Sequence, residues 1–341
     1  MSAAVYTGDG RVAVEEVPRP EPGPGEVLVE IAECGICGSD LHMVLERYAR
    51  PGAILGHEWS GIVASAPSDS GWSPGDRVVG NPAPGCGSCR PCRRGRPSVC
   101  LNRPVADFAG YRGAFCQYKT VAADGLIRIP DSLPTRVAAL TEPMAITLHA
   151  LRLADVHAGD RVLVTGAGPV GLLLVAVLRA QGVSDITVSE PSEVRRRQAL
   201  AAGATRVVTP DSLEPPPMTQ PVAEPYAVVF ECSGHAAAVE AGFGQLDYAG
   251  TLVIVGTGFE PPRINQNRMI IFELEVIGAY NYNDEGFQPA VDVLHRAGLP
   301  FDALIEPENI PLCEVMESME RLARGEIPSK VMVQPGLGSS S

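Results

Sequence analysis

Cys86, Cys89, Cys92 and Cys100 stand at C-x2-C-x2-C-x7-C spacing in the stretch CGSCRPCRRGRPSVC. Four thiolates so close in sequence can close around one tetrahedral zinc, and a complete sulfur shell leaves no position for substrate or water. The quartet therefore predicts a structural zinc, with reduced surface cysteines or two disulfides as the bland alternative. Any reacting ion must lie elsewhere.

A more open set is dispersed through the first half of the chain. It comprises Cys37 in CGICGSDLH, His57 and Glu58 in GHEWSG, and Glu142 in TEPMA. One thiolate, one imidazole and one or two carboxylates can leave a coordination position free, which is the style of a catalytic zinc site. Buried cysteines, core histidines and surface glutamates are the commoner uses of these residue types, so the set needs a wider pattern to hold it together.

A third constellation points to an anion. Gly166-Ala167-Gly168-Pro169-Val170-Gly171 follows the apolar run RVLVT and opens a helical stretch. In that context Gly166 permits the tight turn and Gly168 lets backbone amides approach a pyrophosphate. Gly171 lets the helix pack closely on the sheet, and the helix N-terminus faces the anion. Nineteen positions beyond Gly171 stands Glu190, at the end of the next apolar run. Its carboxylate suits the adenine ribose hydroxyls and opposes a 2′-phosphate, which favours NAD over NADP. Arg195, in the following helix, is a further candidate for the adenosine end, while Arg196 and Arg197 read as a solvated charged face.

These residues need a scaffold, and 341 residues are long for one hydrophobic core, so two domains are expected. Up to about residue 145 the chain alternates short apolar segments with Gly and Pro (AVYTG, RVAVEEV, EVLVEIAE, SGIVASA, DRVVG, FCQYKTV, GLIRIP), a β-rich, barrel-like texture. From 161 to 280 six apolar runs alternate with helical stretches, which predicts a doubly wound parallel sheet. The six prolines between Pro210 and Pro225 predict an irregular crossover instead of a full helix. Beyond 285, GFQPAVDVLHRAG reads as a helix, and DALIEPENIPL and SKVMVQP read as strands returning to the first domain.

A formal net charge of −13 opposes nonspecific binding to nucleic acid or to anionic membranes. The longest apolar run, Val170 to Leu178 with Gly171 inside it, is too short to span a bilayer, and no basic n-region with an apolar h-region opens the sequence. A cytoplasmic protein acting on a small molecule is expected. Cys116, Cys232 and Cys313 read as buried and inert, and His149, His157, His235 and His295 as structural.

Taken together, CGICGSDLH, GHEWSG, the quartet, TEPMA, GAGPVG and FECSG fall in the order seen in one family. The chain resembles a zinc-dependent medium-chain dehydrogenase/reductase of the alcohol, sorbitol and threonine dehydrogenase group, polyol-type branch, over nearly its whole length. The resemblance implies an α/β architecture. A GroES-like β-rich catalytic domain formed by residues 1–145 and 285–341 surrounds a Rossmann dinucleotide-binding domain of residues 146–284. It implies two zinc ions per subunit, with Cys37 and His57 as ligands of the catalytic one and Glu58, Glu142 or both completing it. Ser39 and His42 fall at the proton-relay positions, and Asp40 at that of the carboxylate that orients the metal-bound histidine.

The reaction so implied is reversible oxidation of an alcohol to a ketone or aldehyde, zinc acidifying the hydroxyl and NAD accepting the hydride. The substrate class is a polyol, diol, aminocyclitol, sugar or secondary alcohol. A homotetramer or homodimer is implied as well. Two alternatives stand beside this reading: an NADP-dependent carbonyl reductase of the same family, and a nucleotide-sensing relative without turnover. Trp59, Met144, Tyr48 and the loop from Leu101 to Phe115 are candidates for the pocket wall or for packing.

Overall fold

A computed structural model describes residues 1–103, 112–283 and 286–338. All seven apolar segments of the first part form strands. An antiparallel hairpin of β1 (Ser2–Gly8) and β2 (Arg11–Glu16) precedes β3 (Glu26–Gly35), the spine of this half. Helix α1 (Gly38–Leu45) follows β3 directly, and β4 (Glu58–Ser65) then pairs antiparallel with β3. The sheet continues through β5 (Arg77–Gly80), β6 (Tyr118–Ala122) and β7 (Leu126–Arg128), with β6 on the same spine. A short helix, α2 (Arg90–Arg93), lies inside the cysteine quartet. Val27, Val29, Ile31, Val63 and Val78, alternating along these strands, meet in one core with Phe115 and Trp59.

Helices α3 (Thr135–Ala138) and α4 (Thr141–Ala154) lead into the second half. There β8 (Arg161–Thr165), α5 (Pro169–Ala180), β9 (Asp185–Ser189), α6 (Glu193–Ala202) and β10 (Arg206–Val208) form the first mononucleotide-type unit. The second runs through β11 (Tyr226–Glu231), α7 (Ala236–Gly244), β12 (Leu246–Ile254), α8 (Gln266–Phe272) and β13 (Glu275–Gly278). The six strands lie in the order β10-β9-β8-β11-β12-β13, all parallel. The order reverses between β8 and β11, so the crevice beyond their carboxyl ends is where a ligand of such a sheet binds. As the proline run predicts, no α-helix joins β10 to β11.

The C-terminal portion departs from expectation in one place. Helix α9 (Phe287–Arg296) forms as read, but DALIEPENIPL is not a strand. It begins with the short helix α10 (Phe301–Leu304) and continues through isolated bridges, Ile305 to Lys330 and Ile310 to Val333. Pro307 and Pro311 lack the N–H groups that a continuous ladder requires. Helix α11 (Val315–Ala323) follows, and β14 (Met332–Val333) pairs with Cys34 and Gly35 of β3, which brings the C-terminal segment to the first sheet. Among the described residues no helix is long and apolar enough to cross a membrane.

Candidate active site

The strand-to-helix joint between β3 and α1 sets the first wall of the site. Asp40, buried at 2% exposure, accepts a hydrogen bond from the Cys37 amide through Oδ2 (3.0 Å) and one from the Gly56 amide through Oδ1 (3.3 Å). It thereby ties the Cys37 turn to the His57 segment. Its Oδ1 lies 3.6 Å from His57 Nδ1, an ion-pair distance too long for a hydrogen bond. With Nδ1 on the Asp40 side, Nε2 is the nitrogen left for a metal. Desolvation opposes charge on His57, yet Asp40 and Cys37 together hold its pKa well above the ordinary value.

Cys37, His57 and Glu58 offer ligand atoms that all lie within 4.8 Å of one another. Glu142, at the start of α4, lines the same cleft but is not part of that group. Burial pushes Glu142 up to about 7, with His57 and Lys330 pulling it down and Glu58 and Asp40 adding to the rise. Glu58 has a partner that sequence reasoning missed. Lys330, 1% exposed, places Nζ 2.7 and 2.5 Å from the two Glu58 oxygens and 2.9 Å from the Ile36 carbonyl. Desolvation opposes the ammonium, but Glu58 and then Cys37 hold the Lys330 pKa above its ordinary value. The set of one thiol, one imidazole and a carboxylate fits a zinc ion with a position to spare.

The quartet fits its own ion on geometry. Cys86 and Cys92 Sγ are 4.0 Å apart, and Cys89 and Cys100 Sγ are 3.8 Å apart. A tetrahedron with Zn–S bonds of about 2.3 Å has edges of about 3.8 Å. The Ser88 hydroxyl and neighbouring amides bring the Cys86 thiol down to about 5. Cys92 is pushed up to about 12, first by desolvation and then by Cys89 and Cys100. Four thiolates in this space need a cation among them. The lobe is fastened to the rest by Ser98, whose amide donates to Asn283 Oδ1 (3.4 Å) and whose carbonyl accepts from Asn281 Nδ2 (3.4 Å).

The opposite wall is the dinucleotide loop. Gly166 adopts φ +94°, a conformation that L side chains rarely take, and a Cβ on Gly171 would lie 2.1 Å from the Gly166 carbonyl oxygen. Helix and loop touch only because both are glycine. A Cβ on Gly168 would meet no protein atom within 4 Å, so the N-cap of α5 opens onto free space. Pro169 and Val170 form the first turn of α5 and line the cleft. Glu190 is buried and accepts one amide per oxygen, from Ser192 (2.9 Å) and Ala167 (2.8 Å), leaving further lone pairs for ligand hydroxyls. Thr165 Oγ1, at the end of β8, is buried without a protein partner on the same wall. An orphaned hydroxyl, an open N-cap and a buried carboxylate together fit an adenine dinucleotide.

Arg195 lines the cleft too, but its guanidinium donates to the carbonyls of Leu322 (3.0 Å) and Ile327 (3.3 Å). Other expectations are corrected. Cys313 is exposed, Cys232 is only partly buried, and both Cys232 and His235 line the cleft. Ser233, Thr257 and Phe259 join them there, from the turns after β11 and β12. Trp59 and Met144 are buried core residues, whereas Tyr48 is 50% exposed and stacks on Phe259 at 4.9 Å. Of the loop Leu101 to Phe115, residues 104–111 lie outside the described residues.

One cleft of about 920 Å³ contains both walls. It runs from Cys37, Ser39, His42, His57, Glu58 and Glu142 to Gly166, Gly168 and Glu190. Two family models match the chain, the alcohol dehydrogenase GroES-like domain over residues 23–131 and the zinc-binding dehydrogenase over residues 169–296. An L-threonine 3-dehydrogenase of Xanthomonas euvesicatoria pv. vesicatoria is 31% identical, covering 94% of this chain and 95% of its own length. A sorbitol dehydrogenase of Halalkalibacterium halodurans is 31% identical, with 90% and 92% covered. Among solved structures, a zinc-binding dehydrogenase from Sinorhizobium meliloti 1021 bound to NADP superposes with a TM-score of 0.85 at 30% identity, over 98% of this chain and 99% of that one. The chain therefore belongs to the zinc-dependent medium-chain dehydrogenases, oxidoreductases of alcohol groups that work with zinc and a nicotinamide dinucleotide.

Proposed function

We propose that the chain reversibly oxidises a secondary hydroxyl of a polyol, diol, sugar or similar polar alcohol, with NAD as its dinucleotide. The carrying observation is that the Cys37, His57 and Glu58 cluster and the Gly166–Gly171 loop face one another across a single cleft. When bound, zinc would supply the Lewis acidity that favours an alkoxide, and NAD would accept the hydride. The protein's residues do the rest. Cys37, His57 and Glu58 hold the ion, with Glu142 close by on the same wall, and Asp40 keeps His57 in place. Ser39 takes the hydroxyl proton and passes it to His42. Gly166, Gly168, Pro169, Val170 and Gly171 seat the pyrophosphate, Glu190 receives the ribose, and Arg195 closes the adenosine end against the C-terminal segment.

Glu190 supports NAD because a 2′-phosphate would meet a buried carboxylate. The two curated relatives also favour secondary alcohols, since sorbitol and position 3 of threonine both offer one. The same reading divides the chain into residues 1–145 with 285–341 around an inserted 146–284. The β3–β14 pairing supports the return of the C-terminal end to the first half, whereas α9 and α10, although on the 285–341 side of that division, pack into the core of the inserted half. A homodimer or homotetramer is supported by the edge position of β13 and by the exposure of Ile270, Ile271 and Tyr248 beside it. A cytoplasmic location accords with nine free cysteines. The test is metal analysis, for two zinc ions per chain, together with a screen of NAD reduction over polyols and secondary alcohols. Faster turnover with NADPH and carbonyl compounds would favour the reductase reading, and absence of turnover with two zinc ions bound would favour a sensor.

A further inference from the structure

Two polar residues of α1 and its C-cap, Glu46, form one stripe. Ser39, His42 and Glu46 are three and four positions apart, the spacing that aligns side chains on one helical face, and all three line the cleft. His42 Nδ1 lies 2.5 Å from Glu46 Oε1. On the other side, Phe259 meets the His42 ring edge-on, with centroids 5.6 Å apart and planes at 81°, and itself stacks on Tyr48. The ring is thus fixed by a carboxylate on one nitrogen and by an aromatic pair that reaches across from the loop after β12.

We propose that Glu46 is a positioning residue for the reaction. It holds His42 in the Nδ1–H tautomer and so presents Nε2 to the cleft as the nitrogen that accepts a proton. An ionised carboxylate has no hydrogen to give, so the shared hydrogen at 2.5 Å belongs to Nδ1. In neutral imidazole that leaves Nε2 as the acceptor. The proton balance is then complete. The alcohol O–H bond breaks, Ser39 Oγ takes that proton while yielding its own to His42 Nε2, and His42 becomes an imidazolium whose Nδ1–H still faces Glu46. The C–H bond of the carbinol carbon supplies the hydride to NAD, and a carbonyl is left. Glu46, 42% exposed at its side chain, stabilises the imidazolium until Nε2 releases the proton to water. Without Glu46 the free ring would favour the opposite tautomer, with hydrogen on Nε2 and nothing there to accept.

This inference rests on the relay reading of Ser39 and His42, and the test separates the two. Glu46→Leu, Glu46→Gln, His42→Asn and the double variant His42→Asn/Glu46→Leu are compared in the zinc-loaded protein. One readout is kcat and the KM for NAD, and the other is the nitrogen-15 spectrum of the His42 imidazole. The proposal expects Nδ1–H in the parent protein and Nε2–H in Glu46→Leu. It expects a loss in kcat of about tenfold or more with KM for NAD unchanged, bounded above by the roughly 10²–10⁴-fold that a general base contributes. Glu46→Gln, which keeps an acceptor but no charge, should fall between, and Glu46→Leu should add nothing once His42 is gone. If His42→Asn slows turnover while Glu46→Leu leaves kcat and tautomer as they were, the relay stands and the role of Glu46 is overturned. If His42→Asn turns over at the parent rate, the relay itself is wrong and Glu46 falls with it. A merely helix-stabilising pair would lower thermal stability without moving the tautomer.

Discussion

Replacing Lys330 by Met takes away the ammonium that directly contacts the buried Glu58 carboxylate. In the parent protein both Glu58 oxygens lie within hydrogen-bond distance of Nζ, at 2.7 and 2.5 Å, and neither residue is exposed by more than 1%. Two unit charges about 3 Å apart attract by about 5 kcal/mol at an effective dielectric of about 20. Desolvation of both ions offsets much of that attraction, yet removing one partner alone costs about 3–5 kcal/mol because the other stays buried and unpaired. In chelator-treated protein, urea unfolding of Lys330→Met should show a loss of that order. Restoring zinc should shrink the loss, because Glu58 belongs to the same cluster as Cys37 and His57 and its charge then has a second cation. The double variant Glu58→Gln/Lys330→Met should recover most of the chelated-state loss, since a neutral pair needs no compensation. Parent-like stability of Lys330→Met in chelator would refute the energetic argument. An equal loss with and without zinc would refute the placement of Glu58 within reach of the ion.

Other changes probe separate parts of the site. Cys86→Ser should lower zinc content from two ions to one and reduce thermal stability, while the surviving folded fraction keeps its turnover; metal analysis with a melting curve checks both. Glu190→Ala should weaken NAD by about tenfold or more and narrow the preference over NADP, read by titration with each dinucleotide. Glu142→Gln addresses pH. Burial raises the folded pKa of Glu142 from 4.5 to about 7, so its protonated form favours folding below the unfolded value and that stability is lost as pH rises toward 7. In chelated protein Glu142→Gln should therefore match the parent near pH 4.5 and exceed it by about 3 kcal/mol above pH 7. Equal stability across that window would show that Glu142 is not strained by burial.

Much of the scaffold was legible because its signals are local. Each of the thirteen apolar runs up to Gly278 became a strand, because short apolar runs bounded by turn residues mark strands, continuously buried ones in the parallel sheet included. The quartet and the glycine loop were legible for a similar reason, as each packs its chemistry into a short span with fixed spacing. The misreadings came where tertiary contact overrides local texture. DALIEPENIPL is apolar enough for a strand but carries Pro307 and Pro311, and it settles as a short helix and two bridges. Lys330 stands 272 positions from Glu58, and nothing around SKVMVQP marks it as the partner of a candidate ligand. Phe259 and His235 sit on loops whose sequences state no periodicity, and only the fold of the parallel sheet carries them to the cleft.

The central claim is that the Cys37 wall and the Gly166–Gly171 wall of the cleft serve one hydride transfer. The most direct measurement uses the polyol or secondary alcohol that turns over fastest, labelled with deuterium on its carbinol carbon. After reaction with NAD in ordinary water, mass spectrometry of the reduced dinucleotide should find one deuterium per molecule formed by the parent protein. Cys37→Ser, still folded and still binding NAD, should form none. Reduced dinucleotide free of deuterium, or undiminished transfer by Cys37→Ser, would contradict the account.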